Sequence, residues 1–370
     1  MLPQASTPGT MGVPPGFAAR RRRGRLTVAG LAFLLLLTIL SATAWGSVSI
    51  PVPVVARILI GRFVPSLVPL GDPVAERIVI LIRLPRVLLA AVVGMALGAA
   101  GVIYQGLFRN PMADPYILGV SSGAALGATI AILFDLRIWF LGLSATPLLA
   151  FAGALGTTAA VVRIARRGSG TIPGQAGSLP VETLLLAGIA MSASLSAVIS
   201  LLLFLGGERL PQAIFWLMGG FSGRGWEHLQ MATPYAMAGI AVALALSPDL
   251  NLLLAGEEEA FQLGVDVERV KRHLIVAASL AAAAAAATSG LIGFVGLIVP
   301  HLVRSLIGSD HRWLLPSSSL LGAVILVVAD LIARTLMRPQ ELPVGVITAF
   351  LGGPFFLFLL TRRKGLPPAL

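Results

Sequence analysis

The apolar positions of this chain come in about ten blocks, each roughly 17 to 23 residues long, nearly free of charge and separated by short polar, Gly-, Pro- or Arg-bearing joints. A helix of about 20 apolar residues crosses the hydrocarbon core of a bilayer. In lipid the polar groups of the backbone are satisfied only inside helices or closed barrels. The pattern therefore predicts an all-α polytopic membrane protein with about ten transmembrane helices, at 26–45, 87–105, 118–134, 145–162, 183–205, 231–245, 273–289, 291–308, 314–332 and 344–360. Between the seventh and the eighth, Ser289-Gly290 is the only break in a long apolar run.

Small residues repeat at helical spacing within these blocks. Gly94 and Gly98 form one small-x-x-x-small pair, and Gly119, Gly123 and Gly127 form two in succession. That spacing lets helix backbones approach closely in lipid, so these spans should be buried in the bundle. The alanine run at 281–287 reads the same way. Gly290, Gly293 and Gly296 ahead of Pro300 predict a helix start or break lined by protein or water.

Composition agrees with the pattern: 56% hydrophobic residues, 12% charged residues and a mean hydropathy of +0.91 lie outside the range of soluble domains. What remains between the spans is too short for a separate soluble domain. The organisation expected is one membrane domain over 26–364, preceded by a Pro- and Gly-rich, disordered cytoplasmic arm at 1–25 and followed by a short tail at 365–370. Arg20 to Arg25, an apolar block and Ser41-Ala-Thr-Ala44 imitate a cleavable signal, but the block is longer than a signal core and nine spans follow it. Lys and Arg favour the cytoplasmic side. With a cytoplasmic N-terminus, 17 of the 27 basic residues fall in inner joints, so both termini are expected in the cytoplasm. The net charge of +11 is spread over these joints, and membrane topology accounts for it without nucleic acid. There is no cysteine, which excludes disulfides and thiolate chemistry.

Candidate chemistry is sparse. A P-loop needs a Gly-x-x-x-x-Gly-Lys setting, and neither Lys271 nor Lys364 has one. No nucleotide hydrolysis by this chain is expected, and no catalytic residue is assigned. His228, His273, His301 and His311 all sit at span ends or joints, without metal-ligand spacing. Asp330 alone lies deep in a span. It reads as a structural acid bonded to a neighbouring helix, or as the coupling acid of an ion-driven secondary carrier.

Two joints are more than connectors. The stretch 256–272, with Glu257, Glu258 and Glu259 first and Arg269, Lys271 and Arg272 last, suits the dipole of a short helix. Ala260, Leu263 and Gly264 would offer it a small apolar face for a groove on a partner, unless it is simply a solvated surface helix. The stretch 206–226 combines Pro211, Phe215, Trp216, Gly219, Gly220, Gly223 and Trp226, as a re-entrant helix or an interfacial aromatic belt would.

Arg83-Leu-Pro-Arg86, Gln105-Gly-Leu-Phe-Arg-Asn-Pro-Met-Ala-Asp-Pro115, Leu118-Gly-Val-Ser-Ser-Gly123 and Phe215-Trp-Leu-Met-Gly-Gly220 occur in that order. Gly290-Leu-Ile-Gly-Phe-Val-Gly-Leu-Ile-Val-Pro-His301, Asp310-His-Arg312 and Glu341-Leu-Pro-Val-Gly345 follow, then Gly352-Gly-Pro-Phe355. With the loop from Gly256 to Gly264, these motifs make the chain resemble the permease subunits of the iron-chelate and cobalamin uptake ABC transporters, the FecCD-type, type II importers. The resemblance covers roughly residues 50 to 364.

It implies a homodimer of ten-span permeases in a bacterial plasma (inner) membrane, with the path at the dimer interface. Two separate ATPase subunits, which bind ATP and Mg, would sit below, and a periplasmic or lipid-anchored solute-binding protein would dock from outside. The permease itself would hold no cofactor and no metal. By similarity, Glu257, Glu258, Glu259, Ala260, Leu263, Gly264 and Val265 form the element that couples to the ATPase. Arg83, Arg86 and Arg334 match arginines that meet acids on the binding protein; otherwise they would be snorkelling side chains at the headgroups. Asn110 and Met112 match a cytoplasmic gate, although Asn-Pro is also a plain turn former. Gly188, Ser192, Ser194 and Ser196 match the path-lining helix, unless they serve packing. The solute implied is a metal chelate, a ferric siderophore or haem first and cobalamin next, moved by alternating access.

Overall fold

The computed structural model describes residues 15–46, 50–63, 72–140, 142–169 and 179–362; the expected arm as far as residue 14 and the expected tail at 365–370 lie outside them. In chain order its helices are α1 (Pro15–Ala44), α2 (Val52–Phe63), α3 (Pro73–Arg77), α4 (Leu84–Leu107) and α5 (Val120–Leu133). Then come α6 (Ala145–Ser169), α7 (Val181–Phe204), α8 (Leu210–Leu217), α9 (Trp226–Ala245) and α10 (Ser247–Leu253). The last five are α11 (Glu257–Gln262), α12 (Val267–Ser289), α13 (Val295–Ile307), α14 (His311–Ala333) and α15 (Val344–Arg362). A π-helical turn, Ile78–Arg83, joins α3 to α4 in one rod.

Each expected span has its helix. Five of them (α1, α6, α7, α12 and α14), together with the α3–α4 rod, are long and apolar enough to cross a membrane. α9 qualifies only together with α10, from which it is bent by 59°. α5, α13 and α15 are apolar but shorter. The fold is all-α, as the pattern predicted, with one correction at its start: residues 15–25, expected to be an irregular arm, continue α1 backward. An apolar span supplies the helical nucleus, and the arginines and alanines that precede it are good helix formers that extend it at little cost.

α4 is the axis of the bundle: it is buried along nearly its whole length and packs against α14, α12, α9 and α13. Lipid gives no hydrophobic reward for helix association, so close packing and interhelical polar contacts must hold the helices together. The small-residue pairs supply the close packing. A Cβ at Gly94 would run into the Gly322 carbonyl of α14, and one at Gly123 into the Gly153 carbonyl of α6. The alanines at 281–287 are fully buried on α12, which packs on α9, α4 and α6. The break after Ser289 is longer than one residue; α13 starts only at Val295, behind a left-handed Phe294 (φ 68°).

The helices at the rim include α1, which packs on α14 and is mostly exposed, α7, which packs on α5 and α6 and is mostly exposed, and α15, which rests on α14 and α13. At the opposite end from α11, a small second core of Ala44, Ile50, Val55, Ile58 and Val79 packs α2 against the end of α1 and the π-helical turn.

Candidate functional site

The charged joint after α10 folds into a corner of two helices, where the sequence pattern suggested one short helix. α11 holds the three glutamates in its first turn, where the partial positive charge of the helix end favours them. Gly264, at φ +87°, ends it in a left-handed cap: the Gly264 N–H donates to the Phe261 carbonyl at 2.9 Å and the Val265 N–H to the Ala260 carbonyl at 3.0 Å. Asp266 then caps α12 by accepting from the Arg269 N–H at 3.1 Å. The bases therefore belong to α12, not to the helix that carries the acids.

Lys271 clamps the corner. Its side chain is 2% exposed, and Nζ donates to Glu257 Oε2 at 2.9 Å and to Glu268 Oε1 at 3.2 Å. The other oxygen of Glu268 accepts from the Leu179 N–H at 3.0 Å, tying in the start of α7. Ala260, expected on the apolar face, points inward with Val265 as the buried pair of the cap. The side chains that face out are Phe261 (67% exposed) and Leu263 (65%), with Glu258 and Glu259 beside them. Sequence reasoning missed Phe261 and Lys271, although one is the lone aromatic of the joint and the other is one of two lysines in the chain. An apolar pair edged by acids is shaped to enter a cleft on a partner.

The joint between α4 and α5 is built from two Asx turns. Asn110 Oδ1 accepts from the Met112 N–H at 2.9 Å, and Asp114 Oδ1 from the Tyr116 N–H at 2.8 Å. Burial pushes the Asp114 carboxyl up from its ordinary range, against the pull of that N–H. Asn110 is exposed, whereas Met112 is half-buried beside Leu297 and His301 of α13 and Phe355 of α15. The two expected gate residues thus part company, and only Met112 faces other helices. Gln105 fastens the joint to α13, donating to the Leu297 carbonyl at 3.1 Å and accepting from Arg304 at 3.0 Å. Asn251 of α10 holds the head of α14, accepting from the His311 N–H at 2.9 Å and donating to Asp310 at 2.8 Å.

The three arginines matched to binding-protein docking are largely buried within the chain, 5%, 8% and 6% exposed for Arg83, Arg86 and Arg334. Arg86 donates to Asp330 Oδ1 at 2.8 and 3.0 Å and to both oxygens of Glu341 at 2.9 Å. Arg334 Nε lies 3.1 Å from Asp330 Oδ2, an ion pair without hydrogen-bond alignment. Arg83 donates to the Thr43 and Ala44 carbonyls at 3.1 and 2.7 Å, and Arg334 Nη2 to the Ala42 carbonyl at 2.6 Å. Those carbonyls are the ones the last turn of α1 leaves without helical partners, and cations are favoured there. The arginines thus cap α1 and pair with Asp330 within one chain. Asp330 is paired on two sides, the arrangement that the structural of its two readings requires.

The aromatic joint at 206–226 contains α8, and its end is wedged into the bundle. The Gly220 N–H donates to the Ser289 carbonyl at 2.7 Å and the Gly345 N–H to the Gly219 carbonyl at 3.3 Å. Here α8, the α12–α13 break and the head of α15 touch backbone to backbone. Trp216 is buried, and Trp226 Nε1 donates to the Ile80 carbonyl of the π-helical turn at 2.9 Å, so neither forms a surface belt. On α7, Gly188 is a packing residue, since a Cβ there would meet the Ile117 carbonyl. Ser192 is half-buried, while Ser194 and Ser196 lie on the exposed face. The Ser194 hydroxyl donates to its own helix at the Ala190 carbonyl, 2.9 Å away.

Comparison with known proteins gives a consistent result. Residues 33–362 match the FecCD transport family. A cobalamin import system permease of Halobacterium salinarum is 48% identical over 290 residues, 78% of this chain and 75% of that protein. A hemin transport system permease of Yersinia pestis is 45% identical over 286 residues, 76% of this chain and 83% of that protein. Among solved structures, one described as an inward-facing conformation of a metal-chelate-type ABC transporter superposes with a TM-score of 0.76. It is 34% identical, covering 90% of this chain and 98% of the other.

Proposed function

The chain belongs to the FecCD transport family, and from that premise we propose that it is the permease of an importer that carries a metal chelate into the cytoplasm, driven by separate ATPase subunits. The observation that carries the reading is the corner at α11: an exposed Phe261–Leu263 crest on a rigid, clamped base at the end predicted to be cytoplasmic. Seated in a cleft on an ATPase that binds ATP and Mg, this crest passes closure of the ATPase pair to α12 and, through Asn251, to α14. Both termini then lie in the cytoplasm of a bacterium, and the spans in its plasma membrane.

A second copy of the chain completes the path. The exposure of most of α7, with Ser194 and Ser196 among its open positions, supports this, because such a span offers surface for a second copy to cover. Met112, poised between α13 and α15, is the gate side chain, with Asn110 shaping its turn. A solute-binding protein delivers the chelate and docks at the outer end that carries Arg83, Arg86 and Arg334, where the bonds these arginines make inside the chain hold them in place. The solute is an iron chelate or haem first and cobalamin second. The names of the hemin and cobalamin relatives support both. An ion-coupled carrier would need Asp330 open to the coupling ion, whereas Arg86 and Arg334 pair with it.

The test is ATP hydrolysis and uptake in proteoliposomes holding this chain and its ATPase, with a binding protein loaded in turn with ferric siderophore, haem or cobalamin. Stimulation and uptake with one of them identify the solute. No ATPase association and no stimulation by any would reject the reading.

A further inference from the structure

Between α6 and α12 runs an open groove of about 610 Å³, apolar along its length and basic at one end. Leu155, Ala159, Val162, Ile275, Val276 and Leu280 form its walls. Two hydroxyls also line it, and both are spent inside the protein: Thr158 donates to the Ala154 carbonyl at 3.1 Å, and Ser279 pairs with the Tyr104 hydroxyl at 2.8 Å. Arg163, Arg166 and Arg272 ring the end that lies next to the coupling corner, and no acid lines the groove among the described residues.

We propose that this groove seats one anionic phospholipid of the cytoplasmic leaflet, its phosphate between Arg163 and Arg272 and an acyl chain along the walls. Charge complementarity selects the headgroup, since basic pockets between spans on the cytoplasmic side suit anionic lipid. Length selects the tail. From Leu155 to Arg166 and from Arg272 to Leu280 the helices rise by about 16 and 12 Å, close to half of the ~30 Å hydrocarbon thickness. The site also adjoins the transmission machinery: Arg272 follows Lys271, and Leu179 at the groove edge is hydrogen-bonded to Glu268, a partner of Lys271. A bound phosphate therefore steadies the base on which α11 stands.

The experiment is native mass spectrometry of the full permease with its ATPase, in nanodiscs of phosphatidylglycerol or phosphatidylcholine. The wild type should retain phosphatidylglycerol with at least a tenfold preference. Arg163→Gln with Arg272→Gln should lower that retention by roughly tenfold or more, since each basic side chain near an anionic surface carries a comparable share of the attraction. Ala159→Trp, which fills the groove and keeps the charges, should lower it as well. Equal retention of the two lipids by the wild type, or unchanged retention in both variants, would overturn the proposal. A loss of dimer on size exclusion with lipid retention intact would assign the groove to a second copy, and would overturn it equally.

Discussion

Asp330 and Lys271 are each the charged centre of a small network, and each predicts a different loss. Asp330 is fully buried between Arg86 and Arg334. Breaking a buried pair by removing one partner leaves an uncompensated charge, at a cost of about 3–5 kcal/mol. Asp330→Asn is expected to lower the thermal unfolding midpoint while uptake per folded molecule is kept. Normal stability with uptake abolished would return Asp330 to the role of a coupling acid. Lys271 faces glutamates that are about 41–42% exposed, so solvent screens its clamp and Lys271→Met should cost only ~1 kcal/mol. Its mark is local: faster hydrogen exchange in α11 and weaker stimulation of ATP hydrolysis by loaded binding protein, with dimer assembly unchanged.

At the scale of the element, the corner separates what holds it from what it offers. Ala260, Val265 and Lys271 hold it, and Phe261 and Leu263 are offered. Burying an apolar side chain of that size on docking is worth about 1.5–3 kcal/mol. Phe261→Ala with Leu263→Ala should therefore weaken ATPase association by roughly 100-fold or more and leave the unfolding midpoint in place, as read by titration in detergent. This division could not be seen in the sequence. The glutamates and the apolar residues of the joint were visible there, but which of Ala260, Phe261 and Leu263 faces out depends on the left-handed cap at Gly264. The spans themselves were legible, because block length and hydropathy report directly on the bilayer, and Gly94 and Gly123 announced two close crossings. The partners of the outer arginines within the chain were not legible, for the opposite reason. Arg83-Leu-Pro-Arg86 says nothing of a partner 244 residues away on α14, or of the carbonyls that the last turn of α1 leaves without helical partners.

For the whole molecule, topology is the property that joins these parts. The chain has no cysteine, so single cysteines can report sidedness without a prior substitution. A cysteine placed by Leu263→Cys should react with a membrane-impermeant maleimide only from the cytoplasmic side, and one placed by Phe215→Cys only from the opposite side. Labelling of both from one side would overturn the ten-span reading. The outer end carries a subtler constraint. A π turn is wider than an α turn by one residue, so Ile78–Arg83 sets the angular phase between the axis of the bundle and the small outer core that Val79 shares with α2. Deleting Ile80 would restore a regular helix and swing α3 by about 100° about the rod. Val79 would then turn away from Ile50, Val55 and Ile58, and the mean hydropathy of the chain would scarcely change. Proteolysis at the outer surface should detect that rotation as new cleavage in α2, with the membrane portion still intact. The outer cap is thus keyed to the bundle by counting, and a one-residue change in length matters there more than most changes of side chain.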